Sequence, residues 1–119
     1  YLIEQNINVE IDVRFYKNKF YLGHDEPSYE VNKKFLSNNK LWCHAKNHET
    51  LNVLTKIDCH YFWHQEDDYT MTSKGFIWVY PGKPPIDNSI SVLPEDFKIN
   101  TSKCFGICTD YLSRYIDIK

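Results

Sequence analysis

Between Ile7 and Val13 the chain alternates apolar and polar residues without a break: Ile7, Asn8, Val9, Glu10, Ile11, Asp12, Val13. Successive side chains on a β-strand point to opposite faces. This stretch therefore predicts a strand with Ile7, Val9, Ile11 and Val13 on one side and Asn8, Glu10 and Asp12 on the other. The polar face has two readings. Alternating acidic residues commonly do no more than solvate a sheet. Yet Glu10 and Asp12 share a face, with backbones roughly 6–7 Å apart at about 3.3 Å of rise per residue, so their oxygens can converge on one cation.

The same layout recurs along the chain. Phe20-Tyr21-Leu22-Gly23 reads as a strand returning from the Lys17-Asn18-Lys19 turn and ending in His24-Asp25. Leu41 to Asn47 places Leu41, Cys43 and Ala45 on one face and Trp42, His44 and Lys46 on the other. Asn47 is suited to cap a following helix whose buried stripe is Leu51, Leu54 and Ile57. Cys59 to His64 puts His60, Phe62 and His64 on one side. Gly75 to Tyr80, Ser89 to Leu93 and Phe105 to Tyr111 are further strands, the last with Asp110 near its end, and Pro81-Gly82-Lys83-Pro84-Pro85 is the strongest breaker. Residues 1–6 read as the last turns of a helix closed by Asn6 in the left-handed conformation, residues 28–37 as holding a short helical patch, and residues 65–69 as a polar loop.

Strands that each carry ionisable groups near the C-terminal end are the pattern of a parallel barrel, whose active site is assembled at that end. An eight-fold barrel takes about 250 residues, and this chain has 119. The expectation is an α/β fold: a reduced or incomplete TIM-type barrel of mainly parallel strands with shortened helices, forming one domain over residues 1–119.

Charge narrows the partners. With 14 Lys and Arg against 16 Asp and Glu, the formal net charge is -2, and no basic stripe offers itself to a nucleic acid backbone. No apolar run approaches the roughly 18 residues of a membrane-spanning helix. Cys43, Cys59, Cys104 and Cys108 show neither disulfide-rich nor zinc spacing, which points to free thiols and a reducing, cytoplasmic setting. The open strand edges of a reduced barrel make a homodimer an expectation.

Val9-Glu10-Ile11-Asp12-Val13 with Leu22-Gly23-His24-Asp25, then Trp42-Cys43-His44-Ala45-Lys46-Asn47, then Gly106-Ile107-Cys108-Thr109-Asp110-Tyr111 resemble the glycerophosphodiester phosphodiesterase family. That family lies within the wider phosphatidylinositol-phospholipase-C-like phosphodiesterase superfamily. The resemblance is specific in the E-x-D and H-D pairs and loose between Cys59 and Lys103. It implies that Glu10 and Asp12 are carboxylate ligands of a divalent metal, Mg²⁺ or Ca²⁺. It further implies that His24 is one of two catalytic histidines and that Lys46 steadies the substrate phosphate. The family's third acidic ligand falls at His44, whose imidazole can ligate a divalent ion but removes one negative charge. The family's opening His-Arg-Gly strand, with the second catalytic histidine, has no counterpart in this sequence, so the first strand is expected to be missing.

The activity implied is metal-dependent hydrolysis of glycerophosphodiesters or related small phosphodiesters, within lipid metabolism and complete when the His-Arg-Gly segment is present. A cation draws negative charge from the phosphoryl oxygens, and His24 gives its proton to the departing alcohol. His64, Trp78 and Asp110 join Lys46 as expected substrate contacts. Each residue has a plainer reading. His24 can be a turn histidine held by a carboxylate, His44 a packed core residue, Lys46 an exposed strand-end lysine, Asp110 a cap, and His64 and Trp78 core rings. The alternative function is a non-catalytic phosphate- or sugar-phosphate-binding module on the same scaffold.

Overall fold

The computed structural model describes residues 2–116, and the chain divides after His64 into two compact units. The first holds β1 (Val9–Tyr16), β2 (Lys19–Leu22), β3 (Tyr29–Val31), α1 (Lys33–Leu36), β4 (Leu41–Ala45), α2 (His48–Leu54) and β5 (His60–Phe62). Its sheet runs in the order β3-β2-β1-β4-β5. β1, β4 and β5 are parallel, while β2 and β3 are antiparallel additions at the β1 side.

Local sequence explains much of this unit. The β1–β2 hairpin turns on Lys17 and Asn18, with φ of 50° and 61°. A two-residue turn needs positive φ at both central positions to match the strand twist, and Asn tolerates it well. The odd-numbered face of β1 packs on that of β4, Ile11 opposite Cys43 and Val13 opposite Ala45. Val13, Phe20, Leu36, Leu41, Cys43, Ala45 and Leu54 form the buried cluster there. Asn47 caps α2, its Oδ1 accepting the Thr50 N–H at 2.8 Å. The buried Thr50 hydroxyl in turn donates to Asn47 at 2.8 Å and accepts the Phe15 N–H at 2.9 Å, which ties the start of α2 to β1.

The second unit contains β6 (Tyr69–Met71), β7 (Ile77–Val79), β8 (Ser89–Val92) and β9 (Gly106–Cys108), in that order across one sheet. β7, β8 and β9 are parallel, and β6 is antiparallel to β7.

The barrel expectation is overturned. Each unit has an open, mixed sheet, and the described residues include only two α-helices. The physical reason is edge occupancy. β2 reaches the outer side of β1 through a two-residue turn, and β6 lies antiparallel beside β7 across the longer connection of residues 72–76, so an antiparallel neighbour ends each parallel run. Helices of 4 and 7 residues are also too short to clothe a ring of parallel strands, which needs both faces covered. A TIM barrel thus gives no ground here for hydrolase, phosphodiesterase or lipid-metabolism chemistry.

Smaller corrections have the same origin. Val31, expected in a helical patch, lies in β3 opposite Phe20, and Tyr69 leaves the expected loop to pair with Val79. A free strand edge outcompetes weak local helix preference. Residues 2–6 form turns that end at Asn6 with φ of 61°; the expectation for Tyr1 lies outside the described residues. None of the four cysteines forms a disulfide among the described residues. No described helix is long and apolar enough to cross a membrane.

Candidate metal centre

In-register pairing of the three parallel strands sets Asp12, His44 and Phe62 side by side, with Glu10, Trp42 and His60 in the row before them. Strand alternation puts these residues on the face opposite the aliphatic core. It also separates sequence neighbours. Cys43 turns into the core, where its Sγ donates to the Leu36 carbonyl, while His44 turns the other way. Contact with the Cys59 sulfur, and then burial, push the Cys43 thiol well above its ordinary range, which leaves it a poor thiolate for metal or nucleophilic chemistry.

Glu10, Asp12 and His44 each offer one ligand atom, and these atoms lie within 4.8 Å of one another. Asp12 Oδ1 stands 3.2 Å from His44 Nδ1, yet the pair lacks hydrogen-bond geometry. That oxygen is buried without a hydrogen bond among the described residues. Two ligands set side by side on an ion with bonds of about 2.1 Å stand roughly 3.0–3.4 Å apart. A buried carboxylate oxygen without a donor, facing an imidazole at that separation, fits a cation in common.

The other oxygen of Asp12 is engaged differently. Oδ2 accepts a hydrogen bond from His24 Nδ1 at 2.7 Å. Burial pushes the Asp12 carboxyl up, but His44, His24 and the Lys46 charge outweigh it and hold the group at about 2, below its ordinary 3.8.

Lys46 sits at the corner between β4 and α2, where its N–H bonds the Val13 carbonyl at 3.1 Å and extends the β1–β4 ladder by one step. His64 is brought in by stacking. Its ring lies 4.6 Å from that of His44 at an interplanar angle of 9°, and His44 stacks on Phe62 at 4.9 Å and 8°. The structure thus gathers Glu10, Asp12, His24, His44, Lys46 and His64 in the first unit. Trp78 and Asp110 belong to the second. There Trp78 is buried in β7 between Thr70 and Ile90, and Asp110 is exposed just after β9.

Arg14 was not legible as part of this arrangement. Its Nε–H donates to the Gly23 carbonyl at 2.9 Å and its Nη2 to the His24 carbonyl at 2.6 Å. The available signal is period: Glu10, Asp12 and Arg14 are successive residues of one strand face.

No family model matches the chain, and no curated protein or solved structure does. The phosphodiesterase resemblance therefore rests on the quoted residues alone.

Proposed function

We propose that the first unit binds a divalent cation through Glu10, Asp12 and His44 and acts on a small phosphodiester. The observation that carries this reading is the divided carboxylate of Asp12: Oδ1 buried without a hydrogen bond beside His44, Oδ2 bonded to His24. One side chain thereby links a cation site to a proton-transfer group.

When bound, the cation draws negative charge from the phosphoryl oxygens and lowers the barrier to attack on phosphorus. The chain's own residues do the rest. As a water oxygen bonds to phosphorus and gives up its proton to solvent, the doubly protonated His24 ring, held at Nδ1 by Asp12, gives its Nε2 proton to the departing alkoxide while the old phosphorus–oxygen bond breaks. Lys46 supplies a positive charge for the phosphate anion. His64 and Phe62 fix the ring plane of His44 by stacking on it. Two carboxylates and one imidazole accept Mg²⁺ or Ca²⁺, the ions the resemblance implies, while the nitrogen donor favours Mn²⁺ or Zn²⁺.

Calorimetric titration with each of these four ions, paired with turnover of glycerophosphocholine, whose leaving group is an alkoxide that needs a proton, tests the reading. Glu10→Gln should abolish saturable binding, whereas His24→Gln should bind metal and lose turnover. Absence of saturable binding of all four ions sinks the proposal. Metal-dependent binding of phosphodiesters without turnover replaces it by the non-catalytic module.

A further inference from the structure

We infer that Arg14 is a positioning residue for His24, an inference that rests on the proton-transfer role given to His24 above. The His24 side chain is 75 % exposed, so packing does little to hold it. Its placement depends on the backbone that carries it and on its one bond to Asp12.

Four hydrogen bonds close a circuit between two residues of β1 and two of the loop that follows β2. The Gly23 N–H donates to the Asp12 carbonyl at 3.1 Å. The Arg14 guanidinium reaches the Gly23 carbonyl at 2.9 Å and the His24 carbonyl at 2.6 Å. The His24 ring closes the circuit on Asp12 Oδ2 at 2.7 Å. The corner is also sterically tight, since a Cβ on Gly23 would lie 1.8 Å from the Glu26 carbonyl oxygen. The β1–β2 ladder reaches Val13 and Leu22 through backbone pairing, so the hairpin does not need the Arg14 side chain to hold its strands together. What the side chain adds is a fixed direction for the two carbonyls flanking the His24 Cα.

Only arginine suits this task. Its planar fork presents two donors at a set spacing to successive carbonyls, whereas a lysine ammonium is a single point charge on a flexible stem. Misplacement of a proton donor by about 1 Å is enough to slow a reaction roughly 100-fold.

The test compares wild type, Arg14→Ala and Arg14→Lys. The ¹⁵N shifts of the His24 ring, read at a pH where the ring is neutral, report which nitrogen carries the proton. Wild type should show the Nδ1–H form that the Asp12 bond requires, and both variants should shift toward the Nε2–H form. Mn²⁺ affinity should stay within about twofold. For glycerophosphocholine, kcat should fall by about 10- to 100-fold with little change in KM, and added guanidinium should partly restore Arg14→Ala. Should Arg14→Ala fail to fold, Arg14→Lys gives the same readings with the charge and stem retained. An unchanged His24 signal in a folded variant overturns the inference. If wild type turns over no phosphodiester, the functional reading fails, and the ring signal still decides whether Arg14 positions His24.

Discussion

His24 Nδ1 and Asp12 Oδ2 stand 2.7 Å apart, joining a side chain that is 75 % exposed to one that is 15 % exposed. The imidazole is open to a solute while its tether is sheltered in the sheet. Asp12 thus meets two demands, since its second oxygen is buried beside His44.

On the proposed metal reading, Asp12→Asn removes a charged ligand and weakens the His24 bond together. Mn²⁺ affinity, measured by calorimetry, should drop by at least about 100-fold, because loss of a direct ligand exceeds the 10- to 100-fold cost of losing an outer partner.

The same carboxyl makes a pH prediction for the metal-free protein. Its folded pKa of about 2 lies below the ordinary 3.8, so the group stabilises the fold above the unfolded value and the contribution is lost as pH falls through about 2. The shift corresponds to about 2 kcal/mol. Urea unfolding should show wild type exceeding Asp12→Asn at pH near 5, with the gap closing toward pH 2. A gap that stays constant over that window would contradict the assignment.

His44→Glu gives the cluster a third carboxylate. Wild type should prefer Mn²⁺ over Mg²⁺ and Ca²⁺ by virtue of its nitrogen donor, and the variant should narrow or reverse that order. Competition titrations read the ratio directly.

Gly23→Ala forces a Cβ to within 1.8 Å of the Glu26 carbonyl oxygen, so the backbone of the loop must shift. A cost of about 1–3 kcal/mol is expected from overpacking. Denaturant midpoints measure it, and the His24 ring shifts should move with it.

Thr50→Val keeps the side-chain shape but leaves the Phe15 N–H without its acceptor at a residue that is 0 % exposed. Stability should fall by about 1–3 kcal/mol, with Mn²⁺ affinity nearly unchanged. Thr50→Ser, which retains the hydroxyl, should lose less.

Local chemistry alone determined the faces of β1 and β4, the turn at Lys17-Asn18 and the cap at Asn47. Side-chain alternation, positive-φ tolerance and capping all act over a few residues, so Glu10 with Asp12, and His44 with Lys46, were legible as shared faces. Neighbours across the sheet were not. The rows that join Asp12 to His44 and Phe62, the antiparallel edges that keep both sheets open, and the reach of Arg14 to the His24 backbone depend on which distant segment wins a strand edge. That competition is settled by non-local pairing and burial, and alternation, which says only which way a side chain points, carries no record of what it will meet.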